Sequence, residues 1–295
     1  MTIDFTGRVA IVTGAARGLG RSHALGLAAR GAAVVINDLG RDGHPSDGAQ
    51  GVAAEIIAGG GRAIANGADV ADEVAVAAMV EQALAAFGKI DILVNNAGIL
   101  RDKSFSKMTL DEWDLIIRVH LRGTAVCTKA VWDLMRAQNY GRIAFTSSAS
   151  GIYGNFGQAN YGAAKAAMVG LMNVLHQEGM KNDIRVNTLV PSAATAMTEN
   201  LLPPPALALL EPAYVTPALL YLVSADAPSR LIMDAGAGNY AITKLIESEG
   251  LFLAEADRTP ETIAARFAEI ADMTRGGEVS GATEQTQRFV GRAMG

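Results

Sequence analysis

The sequence predicts an α/β protein: a doubly wound parallel sheet of seven strands with helices on both faces, followed by a C-terminal helical extension. Short runs of β-branched and apolar residues alternate along the chain with alanine-rich segments of helical spacing. Repeated strand–helix units of this kind pair their strands in parallel, because each helix returns the chain to the same edge of the sheet. The apolar runs also lack a polar alternation, as expected of strands buried on both faces.

Each predicted strand is short, and the segment around 62–69 has the weakest strand pattern. The predicted strands are residues 8–13, 32–38, 62–69, 91–96, 142–148, 184–191 and 230–236. The predicted helices are residues 20–31, 49–61, 73–88, 110–135 and 158–180. This order of elements predicts a topological switch point, the place where such sheets bind ligands.

The chain has 295 residues, 50% of them apolar, which suits one large domain with a substantial core. We expect a catalytic domain over residues 1–250 and an extension over 251–295, with one amphipathic helix near 260–273 and looser polar sequence after it. Three consecutive prolines at 203–205 exclude a buried strand or a long helix there. Because this segment follows the sixth strand, we interpret residues 192–212 as a lid over a pocket, the alternative being a plain surface connection.

The net charge of −5 argues against a nucleic-acid partner. No apolar run approaches the roughly 20 residues of a membrane span, so we expect no membrane insertion. The single cysteine, Cys127, excludes an internal disulfide and is interpreted as a small buried apolar residue. With no apolar stretch typical of a signal peptide near residue 1, these features predict a cytoplasmic location.

A glycine-rich segment, "TGAARGLG" at 13–20, joins the first strand to the first helix. Gly14, Gly18 and Gly20 let the backbone approach a pyrophosphate closely, and the N-terminus of the helix attracts its charge. Arg17 and Leu19 lie in the same segment. Glycine clusters also occur in ordinary turns, but the position between strand and helix favours a Rossmann-like dinucleotide site.

Asp38 ends the second strand, 18 residues after Gly20. A carboxylate at this place accepts hydrogen bonds from an adenosine ribose and repels a 2′-phosphate. Arg17 and Arg41 are the competing feature, because a guanidinium nearby can bind that phosphate. We predict NAD in preference to NADP as the cofactor.

Tyr161 and Lys165 are four residues apart in "NYGAAK", and on a helix they lie one turn apart on the same face. A free phenol has a pKa near 10, too high for a general base at neutral pH. A cation one turn away favours the phenolate. Small neighbouring residues leave room for other molecules, so this pair is the main catalytic candidate.

Over roughly residues 5–240 the chain resembles the short-chain dehydrogenase/reductase family. The resemblance rests on "TGAARGLG", "NNAG" (95–98), "SSASG" (147–151) and the Tyr161/Lys165 pair. It implies that Tyr161 is the general base, that Lys165 also binds the nicotinamide ribose, and that Ser148 orients the substrate oxygen. No histidine has the spacing of a metal ligand, and we expect no metal.

The same resemblance implies further cofactor contacts. Asp69 and Val70 should flank the adenine, and Asn96, Ala97 and Gly98 should line the cleft. Pro191 and Thr195 should lie near the carboxamide, although Ser192 replaces the usual glycine and Thr195 comes one place early.

His120 stands where most family members have an asparagine that anchors a water chain ending at the lysine. A histidine in an apolar helix is often only a satisfied core residue. The motif position instead favours a supporting catalytic role in proton relay.

Segments 111–124 and 141–165 are most similar to family members that oxidise (3R)-3-hydroxyacyl-CoA, which implies that substrate class. Arg101, Lys103 and Lys107 form a cationic cluster that could bind CoA phosphates, or could simply be solvated surface. The alternatives are a hydroxysteroid or other bulky-alcohol dehydrogenase, and a non-catalytic cofactor-sensing protein. The resemblance also implies a homodimer or homotetramer formed through helices near 111–138 and 158–180, with an isologous dimer as the default.

Overall fold

A computed structural model describes residues 2–41, 44–193 and 207–294 of the chain. The chain divides into two compact units, Met1–Ile242 and Thr243–Gly295. The predicted extension, 251–295, falls within the second unit. None of the helices in the described ranges is long and apolar enough to cross a membrane.

The first unit is built on one eight-stranded sheet whose strand order is β3-β2-β1-β4-β5-β6-β7-β8. The pairs from β3 to β7 are parallel throughout. The strand order reverses between β1 and β4, and the crevice at their carboxyl ends is where such sheets bind ligands. The strands are β1 Val9–Thr13, β2 Ala33–Asn37, β3 Arg62–Asn66, β4 Ile92–Asn95, β5 Gly141–Thr146, β6 Ile184–Ser192, β7 Ile232–Gly236 and β8 Asn239–Thr243.

All seven predicted strands are present, but the predicted count of seven is wrong by one. β8 follows β7 through a two-residue turn, Ala237 and Gly238, whose φ values are +50° and +75°. Positive φ at both positions is the geometry of a tight hairpin. The residues of β8 are mostly exposed, so the strand has no apolar run from which it could be predicted.

Helices cover both faces of the sheet, as predicted. One apolar core lies on the face covered by α1, α2 and α8, and a second lies on the face covered by α3, α5 and α7. Polar residues begin two of these helices: Ser46 caps α2 and Asp72 caps α3. The helices of this unit are α1 Gly18–Ala28, α2 Asp47–Ala58, α3 Glu73–Phe87, α4 Leu110–Ile117, α5 Gly123–Gln138, α6 Ala149–Tyr153, α7 Ala159–Gly179 and α8 Thr216–Leu222.

The predicted single helix over 110–135 is interrupted. α4 and α5 are separated by a π-helical turn, Arg118–Arg122, which places His120 in the interior. Wide turns of this kind recur at functional sites because they redirect one side chain without ending the helix. Thr109 and Glu112 form a reciprocal capping box at the start of α4.

The second unit contains a small antiparallel sheet of β9 (Ile246–Glu247) and β10 (Gly277–Glu278). The predicted helix near 260–273 is two short helices, α9 (Pro260–Ala265) and α10 (Phe267–Ile270). The prediction of looser sequence after 273 is wrong, because α11 occupies Ala282–Met294. An ion pair between Glu284 and Arg288, one turn apart, stabilises α11. Helix α11 was not predicted because it contains few apolar residues from which a helical period could be recognised.

Candidate active site

The glycine segment forms a tight loop between β1 and α1. Gly14 and Gly18 have φ values of +65° and +56°, a region that favours glycine. A Cβ on Gly14 would lie 2.7 Å from Ala97 Cα, and one on Gly20 would lie 2.2 Å from the Gly14 carbonyl oxygen. Helix α1 begins after Arg17, whose side chain makes no capping hydrogen bond. This N-terminus beside a close-packed glycine backbone fits the pyrophosphate of a dinucleotide.

Asp38 is held beside this loop. The Ala16 backbone N–H donates a hydrogen bond to Asp38 Oδ2 at 3.1 Å. Arg17 and Arg41 are both exposed, whereas Asp38 is half-buried at the end of β2. The negative charge is therefore the fixed feature at the expected ribose position.

Of the two residues expected beside the adenine, Asp69 is held by hydrogen bonds and Val70 is buried among apolar contacts. Asp69 Oδ2 accepts a hydrogen bond from Arg118 Nη2 at 2.7 Å, and its Oδ1 accepts one from the Ala71 N–H at 2.9 Å. Val70 is buried, and a Cβ on Gly123 would lie 2.7 Å from its Cγ2. The Asp69 carboxylate thus ties the segment after β3 to the π-helical turn.

The "NNAG" segment is bound to the end of β1. The Asn96 side chain donates hydrogen bonds to the carbonyl oxygens of Thr13 and Gly14, at 2.9 and 3.1 Å. Thr13 Oγ1 accepts hydrogen bonds from the N–H groups of Asn96 and Ala97. These bonds fix the floor of the cleft where the strand order reverses. Thr13 was not among the predicted site residues.

Lys165 is buried and lies close to Tyr161. Its Nζ donates a hydrogen bond to the Thr146 carbonyl oxygen at 2.6 Å and lies 5.6 Å from the centre of the Tyr161 ring. Burial lowers the pKa of Lys165 to about 7. The lysine is therefore poised to change its charge near neutral pH.

Tyr161 and Ser148 are joined by a hydrogen bond between their side chains. Burial raises the pKa of Tyr161, the bond with Ser148 opposes this effect, and the charge of Asp102 adds to it. Ser148 is the N-cap of α6, and its Oγ accepts a hydrogen bond from the Ser150 N–H at 3.2 Å. The structure brings Ser148, Tyr161 and Lys165 into one cluster.

His120 packs its ring edge-on against Tyr161, with ring centres 5.2 Å apart and planes at 87°. Its Nε2 lies 3.1 Å from the Ile99 nitrogen and 2.8 Å from the Ile99 oxygen. Burial, helped by the charge of Lys165, lowers the pKa of His120 to about 3. The ring is therefore neutral at physiological pH. Within the described part of the chain, its buried Nδ1 has no hydrogen-bond partner.

Two polar residues that the sequence analysis did not single out lie just before Tyr161. Asn160 is fully buried, and its Nδ2 donates to the carbonyl oxygens of Arg101 and Glu112 at 3.2 and 3.3 Å. Its Oδ1 accepts a hydrogen bond from the Tyr161 N–H at 2.7 Å. The second residue, Gln158, is also buried. Their only sequence signal is two amides in a segment of otherwise small residues.

The predicted cationic cluster is partly neutralised. Lys103 Nζ forms an ion pair with Glu112 Oε1 at 2.5 Å, and Arg101 Nη1 donates to the Leu100 oxygen. Lys107 is exposed. The described residues contain no group of three His, Cys, Asp or Glu side chains that could hold a metal ion.

The end of the site after β6 is only partly described. Pro191 lies in β6 opposite Ala235. Thr195 and the central part of the predicted lid, 194–206, lie outside the described residues.

Residues 8–205 match the family described as short chain dehydrogenase. The chain belongs to the short-chain dehydrogenase/reductase family. The predicted family is therefore confirmed, and with it an oxidoreductase that uses a nicotinamide cofactor.

Three known proteins show how this chain compares with other members. It is 46% identical to peroxisomal multifunctional enzyme type 2 of Mus musculus, over 98% of this chain and 40% of that protein. Full-length peroxisomal multifunctional enzyme type 2 of Drosophila melanogaster superimposes with a TM-score of 0.83 at 35% identity, covering 99% of this chain and 50% of that one. A 7α-hydroxysteroid dehydrogenase complexed with NADH and 7-oxo glycochenodeoxycholic acid superimposes with a TM-score of 0.73 at 28% identity. The match covers 80% of this chain and 95% of that one. The chain thus spans half or less of the two multifunctional relatives.

Proposed function

We propose that this protein oxidises the secondary alcohol of a (3R)-3-hydroxyacyl-CoA to the 3-oxo thioester, with NAD as the hydride acceptor. The observation that carries this proposal is the half-buried Tyr161 phenol, which is hydrogen-bonded to the Ser148 side chain and whose ring centre lies 5.6 Å from Lys165 Nζ. A phenol in that position can exchange a proton with a substrate oxygen that Ser148 holds.

Tyr161 removes the hydroxyl proton of the substrate, and Ser148 donates a hydrogen bond to the same oxygen as its charge develops. A nicotinamide cofactor, when bound, supplies the acceptor for the hydride. Because burial raises the pKa of Tyr161, the phenol needs cationic charge nearby in order to act as a base. Lys165 provides that charge on the same face of α7.

Several residues would hold the cofactor. Gly14, Arg17, Gly18, Leu19 and Gly20 would bind the pyrophosphate at the N-terminus of α1. Asp38 would accept hydrogen bonds from the adenosine ribose, and its fixed charge supports NAD over NADP. The remaining proposed contacts are Asp69 and Val70 at the adenine, Asn96, Ala97 and Gly98 along the cleft, Lys165 at the ribose, and Pro191 and Thr195 near the carboxamide.

We assign His120 a supporting role. Its ring packs against Tyr161, and its Nε2 fixes the Ile99 backbone. With its pKa lowered to about 3, the ring cannot act as a cationic proton donor at neutral pH. In the proposed relay, the neutral ring would accept a proton at one nitrogen while it releases one from the other.

The acyl-CoA substrate is supported by the similarity to the multifunctional relatives. Arg101 and Lys107 would meet the phosphates of CoA, and the lid, 192–212, would cover the acyl chain. A hydroxysteroid is the second candidate, because the 7α-hydroxysteroid dehydrogenase shares the fold over 80% of this chain. We further propose an isologous dimer, and a cytoplasmic location remains a prediction of the sequence.

The test is kcat/KM for a (3R)-3-hydroxyacyl-CoA, for its truncated pantetheine thioester and for a free hydroxysteroid. Binding energy from the CoA handle speeds reaction at the distant carbon, so truncation should lower kcat/KM at least tenfold. If the free steroid has the highest value, the hydroxysteroid function replaces the proposed one.

A further inference from the structure

Gln158 is a buried amide at the start of α7, three residues before Tyr161, with only 8% of its surface exposed. An uncharged polar side chain in such a place must find hydrogen-bond partners within the protein, or its burial costs free energy. Its partners lie on α6, on the loop that follows α6 and on the loop before α4.

The amide has a defined orientation. Gln158 Nε2 donates a hydrogen bond to Asp102 Oδ2 at 2.7 Å. Gln158 Oε1 accepts hydrogen bonds from Ser150 Oγ at 2.5 Å and from Asn155 Nδ2 at 3.1 Å. The reverse orientation would set an NH₂ group against the Asn155 NH₂ and an oxygen against the Asp102 carboxylate, which excludes it.

Two of the three partners connect Gln158 to other parts of the site. Ser150 lies in the first turn of α6, and its N–H donates to Ser148 Oγ. Asp102 lies in the segment that follows Ile99, and the neighbouring Lys103 N–H donates to the Gly157 oxygen at 2.9 Å.

Helix α6 already lies directly on α7, since a Cβ on Gly151 would approach Lys165 Cβ at 2.7 Å. Packing therefore fixes one side of α6. The Gln158 amide adds a polar tie from α6 to the loop before α4. Without that tie, the Ser148 hydroxyl can shift relative to the phenol.

We infer that Gln158 is a positioning residue: its amide joins Asp102 to Ser150 and so holds Ser148 and Tyr161 in the arrangement that the reaction needs. This inference rests on the proposed dehydrogenase activity but not on the identity of the alcohol. A displacement of a reacting group by about 1 Å can lower the catalytic rate by up to about a hundredfold.

The test exchanges donor and acceptor across the Gln158–Asp102 bond. Gln158→Glu removes the donor and sets two carboxylates against each other, which breaks the bond to Asp102. In the double variant Asp102→Asn/Gln158→Glu, the new asparagine NH₂ donates to the new carboxylate and the bond returns with its direction reversed. Ser150 and Asn155 still donate to the glutamate. Asp102→Asn alone keeps the bond, because its amide oxygen accepts from Gln158.

We expect kcat of Gln158→Glu to fall at least tenfold while KM for NAD changes less than twofold. The double variant should recover to within threefold of Asp102→Asn. Gln50→Glu is the matched control: Gln50 is exposed on α2, bonds the Pro45 oxygen, and should keep the kinetics of the unmodified protein. The substrate is whichever secondary alcohol the unmodified protein oxidises fastest.

Amide hydrogen exchange of residues 148–154 gives a second readout that needs no turnover. Exchange should rise in Gln158→Glu and return in the double variant. Should Gln158→Glu fail to fold, Ser150→Ala removes one bond of the same amide and should lower kcat about threefold. The inference is overturned if Gln158→Glu has the kcat of the unmodified protein. It is also overturned if the double variant restores neither kcat nor the slow amide exchange of residues 148–154 relative to Gln158→Glu. Absence of any alcohol oxidation by the unmodified protein overturns the proposed function, and exchange alone then decides the role of Gln158.

Discussion

Replacing Lys165 with methionine should make the protein more stable while abolishing its chemistry. Lys165 is buried, and burial lowers its pKa from 10.5 to about 7. At about 1.4 kcal/mol for each unit of pKa change, the charged lysine is less favourable in the folded protein than in the unfolded chain by about 5 kcal/mol. Methionine has a similar volume and no charge to bury. It also loses the bond to the Thr146 oxygen, worth about 1–2 kcal/mol, so we expect a net gain of about 3 kcal/mol at neutral pH and below.

The pH dependence distinguishes this explanation from better packing. The pKa of Lys165 is lower in the folded state, so between about pH 7 and 10.5 the unfolded chain binds more protons than the folded one. The unmodified protein therefore gains stability as pH rises through this window. The advantage of Lys165→Met should be largest below pH 7 and should shrink steadily above it.

The assay is urea unfolding of both proteins at several pH values from 6.5 to 9.5, without cofactor. Lys129→Met is the matched control, because Lys129 is exposed on α5 and its side chain is already in water. A Lys165→Met variant that is less stable than the unmodified protein at pH 6.5 would refute the reasoning. So would a stability difference that does not change with pH.

Three further predictions concern the chemistry. Tyr161→Phe should lower kcat at least a hundredfold with cofactor affinity unchanged, because only the proton-transferring oxygen is removed; substantial turnover would exclude Tyr161 as the base. Asp38→Asn should relax discrimination against NADP in kcat/KM, with Arg17 free to bind the extra phosphate. A native preference for NADP would show that the arginines, not Asp38, set the choice. His120→Ala should lower kcat several-fold with a similar Kd for NAD, and equal kinetics at equal stability would make His120 a core residue only.

Most of the parallel strands were predictable because burial on both faces leaves a continuous apolar run in the sequence; β3, which is only partly buried, gave the weakest pattern. β8 has mostly exposed residues and so leaves no such run. The π-helical turn was not predictable either, since the apolar spacing of α4 and α5 continues through it. Apolar periodicity reports which residues are buried, and here it does not distinguish the widened turn from the helices on either side of it.

Within the site, the Tyr161/Lys165 pair and the glycine loop were visible because each is a short motif on one element. Gln158 and Asn160 were not, because each has a partner in the loop or helix near residues 101–112, which is distant along the chain. Asp102 is 56 positions from Gln158, and Glu112 is 48 positions from Asn160. Only the fold brings these groups together, and a single sequence carries no signal of that pairing.

The most direct test of the proposed function is NADH formation by the unmodified protein with the two enantiomers of one 3-hydroxyacyl-CoA. The account predicts that kcat/KM with NAD is at least tenfold higher for the (3R) ester than for the (3S) ester. Preference for the (3S) ester, or no NADH formation from either, would contradict it.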